Sequence, residues 1–286
     1  MFFKKLPTVS FDQGRCTERS HVVAVFDEGE RIVIVTDVTP FHPRDYQWAD
    51  QPADRGVIEV CGTSFPVLDA VVIAVGQDGS YYMDAEIPIK KNDPQWFFCV
   101  GHVLPRGASL SEGDEVLLSV DKNYRSALSR AHSAAHIMSL ALNMELSALW
   151  RKIPEKKDAL GNPDFDRMAI DLSVIGEGAC EDRYRLGKSL RKKGFPSDIS
   201  GDRWEELERA VNARISGWLE NNSAVSITRD GDLLMSFRHW NASLEGCCVS
   251  LPCGGTHVSS FSEIGEIKVT LSVPDAETLL VRTVLG

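Results

Sequence analysis

No stretch of the chain approaches the roughly 20 consecutive apolar residues that a bilayer-spanning helix needs. The amino-terminal MFFKKLPTVSFDQG has two lysines but no apolar core or small-residue cleavage site behind them. Neither a helical membrane protein nor a secreted precursor is expected, and the expected location is the cytoplasm. Positive charge is in deficit: 31 Lys and Arg against 41 Asp and Glu give a formal net charge of −10. That field repels phosphates and anionic lipid at long range, which argues against a general nucleic-acid coat or membrane-surface binder but allows local basic patches. Repeats and low-complexity tracts are missing too. The seven cysteines, Cys16, Cys61, Cys99, Cys180, Cys247, Cys248 and Cys253, are odd in number and scattered over 286 residues. This argues against a disulfide framework and for reduced thiols.

What is present is an ordinary folded composition, 43% hydrophobic and 25% charged, at about twice a typical domain length of roughly 150 residues. From about residue 22 to 120, runs such as HVVAVFDEGERIVIVTDVT, GVIEVCGTSFPVLDAVVIAVG, QWFFCVGHVL and DEVLLSVD are rich in Val, Ile and Phe. Punctuated by Gly, Asp and Pro every ten residues or so, they predict a β-barrel-like domain over 1–121. The character then changes. Asp121 can cap a helix, and Leu128, Ala131, Ala135, Met138, Leu142 and Met144 recur at helical spacing, predicting a long helix over about 123–150. A strand over 168–174, a charged segment over 181–194, a helix over 202–219 and several later strands follow. Residues 122–286 therefore read as an α+β domain, its long helix packed on an antiparallel sheet.

The stretch RAHSAAHIM, residues 130–138, puts His132 and His136 four apart among Ala, Ser and aliphatic residues. Positions i and i+4 share one helix face a few ångströms apart, the spacing at which two imidazoles grip one cation. One such pair arises readily by chance among seven histidines; a second pair makes it informative. In LPCGGTHV, Cys253 and His257 are again four apart, in a turn where Gly254 and Gly255 are expected to take positive φ and bring the backbone close to a ligand, with Pro252 stiffening the entry. Imidazoles with one thiolate form a borderline-soft set suited to Zn²⁺ in a tetrahedral field, one ion per chain. Cys247 and Cys248 are adjacent, so at most one can face the site; both are expected to be buried in a central strand.

HSAAH on a long helix, PCGGTHV some 120 residues later, WEELERAVNARI between them, and TDVTPFHP and QPADRG near the amino terminus together resemble the alanyl-tRNA editing proteins (AlaX type) and the editing domain of alanyl-tRNA synthetase, over roughly residues 22–286. The resemblance implies that the α+β domain is an editing domain whose zinc-site positions are His132, His136, Cys253 and His257. It implies that Thr39 lines the substrate pocket and helps to recognise serine, with Gln51, Gly254, Gly255 and Thr256 also at the substrate. The implied activity is metal-dependent hydrolysis of the ester in mischarged Ser-tRNA(Ala), or Gly-tRNA(Ala), by a protein acting in trans for translation fidelity, with no protein partner evident. The family's glycine-rich GGGQP turn is replaced. FHPRDYQWADQPADRG places residues 44–50 there, a longer loop without glycine, while Gln51, Asp54 and Gly56 remain.

Such chemistry has a physical rationale. A synthetase pocket sized for alanine rejects glycine or serine only weakly, so a second sieve is needed. In it the Thr39 hydroxyl, as a donor, is expected to recognise serine, whereas alanine leaves a buried polar group unpaired at a cost of about 1–3 kcal/mol. Zinc either activates water, polarises the carbonyl, or anchors the aminoacyl end while backbone N–H groups of 254–257 polarise the ester. Four protein ligands close a tetrahedral site, whereas catalytic zinc keeps a position open. Either His132 or His257 is displaceable, or the metal only anchors.

The stretch RYRLGKSLRKKG collects Arg183, Arg185, Lys188, Arg191, Lys192 and Lys193 without an acid. It is either a tRNA-phosphate contact or a solvated face. The preceding RKIPEKK mixes signs and says less. Two rival readings stand beside the deacylase: a zinc hydrolase of changed specificity, and a non-catalytic zinc-stabilised RNA-binding module, which a closed four-ligand site suits. A zincin protease is excluded, because HSAAH lacks the glutamate that pattern requires beside its first histidine.

Overall fold

Residues 3–91, 93–196 and 198–286 are described by a computed structural model. The amino-terminal β-rich sequence forms ten strands: β1 (Thr8–Val9), β2 (Thr17–Asp27), β3 (Arg31–Thr36), β4 (Val38–Thr39), β5 (Gly56–Val60), β6 (Thr63–Val67), β7 (Asp69–Gly76), β8 (Tyr81–Met83), β9 (Trp96–Pro105) and β10 (Glu115–Val120). In β2 the period-2 pattern buries Ser20, Val22, Ala24 and Phe26 on one face. Eight of the strands form one sheet in the order β6-β5-β10-β2-β3-β9-β7-β8, with antiparallel pairing.

Strands β6 and β7 are separated only by Leu68, yet β6 pairs with β5 at one margin and β7 with β9 near the other. The Leu68 N–H also donates to the Val103 carbonyl of β9 at 2.8 Å. One continuous segment serving both margins makes the sheet curl into a half-barrel. Ile34, Ile58, Leu104 and Leu118, all fully buried, belong to one apolar cluster of this part of the chain. A short parallel pair, β1 with β4, fixes Thr39 opposite Val9.

The remainder is α+β: α1 (Lys122–Leu146), α2 (Phe165–Ala169), β11 (Ile170–Gly176), β12 (Ala179–Arg185), α3 (Lys188–Lys192), α4 (Gly201–Glu220), β13 (Ser226–Arg229), β14 (Arg238–Leu244), β15 (Cys247–Pro252), β16 (Ile267–Asp275) and β17 (Thr278–Leu285). Four strands form an antiparallel sheet of order β11-β12-β17-β16, and three form a sheet of order β13-β14-β15. Helix α1 begins where Asp121 Oδ1 accepts the N–H groups of Asn123 and Tyr124 at 3.0 and 3.1 Å. Ser200 caps α4, whose Trp204, Leu207, Val211, Ile215 and Trp218 form a buried stripe.

Three sequence expectations change. The strand expected from 168 starts at Ile170, because Asp164 caps a short helix that takes up Met168 and Ala169. The helix that bonds to the four-stranded sheet is α4, through Asn212, whose amide both donates to and accepts from the Val269 backbone of β16 at 2.8 Å, and through Glu208, which accepts the Leu271 N–H at 2.7 Å. The histidine-bearing α1 instead contributes to a separate cluster of ligand-type side chains. Cys247 and Cys248 are both exposed, since β15 is the outer strand of its sheet and not a central one.

By contact density the chain divides into two units. One comprises Met1–Ser126, Ile227–His239 and Cys253–Thr256; the other comprises Ala127–Ser226, Trp240–Pro252 and His257–Gly286. Among the described residues no helix is long and apolar enough to cross a membrane.

Candidate metal centre

Helix α1 carries His132 and His136 on one face because they are one turn apart, and their ring centroids are 5.0 Å from each other. His257 completes a triangle, its ring 4.4 Å from that of His132 and 5.0 Å from that of His136. The chain reaches His257 from a tight hairpin in which Glu245 (φ 52°) and Gly246 (φ 73°) turn β14 into β15. Cys253 follows β15, its N–H donating to the Arg238 carbonyl at 3.0 Å. One ligand-type atom from each of His132, His136, Cys253 and His257 lies within 4.8 Å of the others. Around a tetrahedral ion with bonds of about 2.0–2.3 Å, such atoms sit within about 4 Å of one another, so a small contraction suffices.

The electrostatics fit a cation bound by neutral imidazoles. Burial pushes the His136 imidazole down to about 4, leaving it uncharged at neutral pH. Its Nε2 is enclosed and has no hydrogen-bond partner among the described residues, a state that costs free energy unless something occupies it. Trp240, fully buried in β14, stands 5.3 Å from the His136 ring. Burial pushes the Cys253 thiol up to about 12, opposed by a hydrogen bond from the Gly255 N–H. Such a donor set could coordinate a divalent metal ion.

The glycine turn differs from expectation. Neither Gly254 nor Gly255 is among the positive-φ glycines. At Gly254 a Cβ would meet nothing within 4 Å, so the glycine leaves open space beside the backbone where a left-handed turn was expected. The N–H groups expected to polarise an ester are partly committed. That of Gly255 bonds the Cys253 sulfur, and that of Thr256 donates to Gln51 Oε1 at 3.1 Å. Gln51 Nε2 returns a bond to Thr256 Oγ1 at 2.9 Å. Gln51 and Thr256 are 1% and 4% exposed, so their amide and hydroxyl groups serve each other.

Thr39 is also enclosed, and the roles in its hydrogen bonds follow from its neighbours. The Ile34 carbonyl only accepts, so the His102 Nδ1 that faces it at 3.1 Å carries the ring proton. His102 is neutral, since burial pushes it down to about 4. Its Nε2 therefore accepts from the Thr39 hydroxyl at 2.8 Å, and Thr39 Oγ1 accepts the Phe41 N–H at 3.1 Å. The hydroxyl proton is committed, so Thr39 offers a ligand an acceptor and not the donor that the sequence suggested.

The basic stretch separates into paired and unpaired charges. Arg183 and Arg185 both bond Asp171, at 2.8 and 3.3 Å, and Arg191 faces Glu277 at 3.7 Å. Lys188, Lys192 and Lys193 are exposed and make no ion pair among the described residues. The segment set aside for its mixed signs adds to them. The Arg151 N–H donates to the Gly194 carbonyl at 2.9 Å, and a Cβ at Gly194 (φ +106°) would lie 2.6 Å from the Lys152 carbonyl. Exposed Lys152 is thereby placed beside the Arg191–Gly194 turn.

Sequence reasoning missed Ser133 and His102. Ser133, enclosed in α1, bonds His257 Nδ1 at 3.1 Å and accepts the Val258 N–H at 3.2 Å. Its signal was the position inside HSAAH. His102 had none, because its partners are 63 and 68 residues away.

No family model matches the chain. It is similar to alanine–tRNA ligases: that of Akkermansia muciniphila is 23% identical over 280 residues, covering 91% of this chain and 24% of the ligase. The ligase of Delftia acidovorans is 25% identical, covering 89% of this chain and 25% of the ligase. That of Opitutus terrae is 26% identical, covering 92% and 24%. The chain thus spans about a quarter of the length of the ligases it matches.

Proposed function

We propose that the chain is a metal-dependent aminoacyl-tRNA deacylase of the editing type, which hydrolyses Ser-tRNA(Ala), and Gly-tRNA(Ala) as a second substrate, in trans in the cytoplasm. The observation that carries the reading is the convergence of His132, His136, Cys253 and His257 within 4.8 Å. Distant similarity to alanine–tRNA ligases supports the substrate class. The four side chains would hold one zinc ion, which would supply Lewis acidity for the ester carbonyl with one of them, such as His132, displaced.

The protein's own groups do the rest. Thr39, its proton held by His102, accepts from the hydroxyl of a seryl group; alanine brings no donor and leaves that acceptor unmatched. Glycine enters by size. Open space beside Gly254 admits the aminoacyl end close to the backbone. Trp240 beside His136 keeps water from the histidine face. Lys192 and Lys193 meet tRNA phosphates.

The closed set of four protein ligands favours a second reading, a zinc-stabilised RNA-binding module without catalysis. Deacylation of Ser-, Gly- and Ala-tRNA(Ala) measured side by side, for wild type and His136→Ala, decides between them. The deacylase hydrolyses the first two, spares the third and is inactivated by the substitution. Unchanged turnover after complete removal of metal rejects metal dependence. A zinc-loaded protein that binds tRNA but hydrolyses none of the three is the module.

A further inference from the structure

An imidazole carries one proton when neutral, and the nitrogen that binds a metal must be the bare one. For His257 the choice is set by what stands at Nδ1, and that group is the hydroxyl of Ser133, 3.1 Å away. Ser133 is 0% exposed, so no solvent competes for the bond. It lies on α1 directly after His132 and three residues before His136. Its oxygen also accepts the Val258 N–H at 3.2 Å, so one side chain of the histidine-bearing helix holds the residue after His257 by its backbone and His257 itself by its ring.

We infer that Ser133 is a positioning residue of the metal centre: it accepts the Nδ1–H of His257, which fixes the ring's rotation and leaves Nε2 bare toward the cluster. The inference rests on the reading above that His257 is a metal ligand. The serine oxygen has two lone pairs, and in this arrangement both are filled, one by Val258 N–H and one by His257 Nδ1–H. Its own proton then has no acceptor among the described residues, a cost that bound metal must offset. The opposite arrangement, with Ser133 donating to Nδ1, puts the ring proton on Nε2 and aims an N–H at the cluster, where no cation can bind. Small size is required as well, because a longer acceptor in the same buried place displaces either the ring or the turn. The serine therefore does for His257 what carboxylates and carbonyls do for histidines in many zinc sites, where losing such a partner lowers metal affinity about 10–100-fold.

The test loads purified wild type and Ser133→Ala with zinc, measures affinity by competition with a chromophoric chelator, and records ¹⁵N–¹H spectra of the histidine side chains in the wild-type zinc form. The expected result is a 10–100-fold weaker affinity for Ser133→Ala with unchanged circular dichroism, and a His257 that carries its proton on Nδ1. Equal affinity in a folded Ser133→Ala overturns the inference alone. So does a His257 protonated on Nε2, which is read on wild type and decides the matter even if the variant does not fold. A wild type that takes up no zinc overturns this inference together with the reading it rests on, and is distinguished by that first titration.

Discussion

Gln51 holds Thr256 through both ends of its amide, donating from Nε2 to Oγ1 at 2.9 Å and accepting the backbone N–H at Oε1 at 3.1 Å. The two residues are 205 positions apart, and the bond pair pins the turn that presents Cys253 to a loop of the β-rich part of the chain. Gln51→Ala removes both bonds and leaves a buried N–H unpaired, at a cost of about 1–3 kcal/mol. Chemical denaturation should show that loss, and zinc retained after dialysis should fall with it. A Gln51→Ala protein of wild-type stability and zinc content would show that the clamp is dispensable.

The Arg125–Asp54 pair is enclosed on both sides and well satisfied. Arg125 Nε meets Asp54 Oδ1 at 2.7 Å, a second bond joins Nη2 to Oδ2, and Arg125 also donates to the Pro40 carbonyl at 2.7 Å. Asp54 Oδ2 in turn accepts the His42 N–H at 2.5 Å. Removing one partner strands a buried charge, so Arg125→Met should lose about 3–5 kcal/mol of stability, and the double replacement with Asp54→Leu less than the two single losses combined. Additive losses in urea unfolding are the contrary result.

Asp166 should subtract stability as pH rises from about 4 to about 7. The buried His102 and His136 act against it, adding stability as pH rises between about 4 and 6.5, because only the unfolded chain protonates them there. Burial pushes the Asp166 carboxyl from the ordinary 3.8 up to about 7, against a hydrogen bond from the Tyr184 hydroxyl and with help from Asp182 and Asp164. Below about 4 the group is protonated in folded and unfolded chain alike. Between the two values only the folded chain keeps the proton, so rising pH favours unfolding, and above about 7 the loss is complete. Asp166→Asn should remove this contribution and shift the slope of stability against pH over this range in the positive direction. An identical slope in the variant removes Asp166 from the explanation.

Charge reversal should separate the two halves of the basic stretch. Lys192→Glu with Lys193→Glu, at sites without ion pairs, should weaken tRNA binding and lower the slope of log affinity against log salt by about 2 if each contacts one phosphate. Arg183→Glu with Arg185→Glu should change it less, because Asp171 already neutralises part of their charge. Filter binding at several salt concentrations reads both, and equal effects refute the division.

Much of the candidate site was legible because it follows local rules. Histidines one turn apart on an Ala- and Leu-rich helix must share a face, and a Cys and a His four apart in a short turn lie near one another. The details that escaped depend on distant partners. Thr39 reads as a donor until the Ile34 carbonyl sets the tautomer of His102. Gly254 and Gly255 suggest positive φ, whereas at Gly254 the missing side chain clears space. Cys247 and Cys248 look like core residues, but burial in a strand depends on its place in the sheet, and β15 is outermost. The role of α4 at β16 rests on Asn212 and Glu208, polar residues that a hydrophobic pattern passes over.

Asn212 has a consequence beyond holding a helix. By taking the N–H and carbonyl of Val269, it occupies the hydrogen-bonding groups through which an outermost strand recruits a neighbour's backbone, and Glu208 takes the next such N–H at Leu271. Strand addition from another molecule is thereby blocked at β16. Fibril-like growth of the four-stranded sheet is left to β11, where Leu172 and Val174 are 44% and 47% exposed.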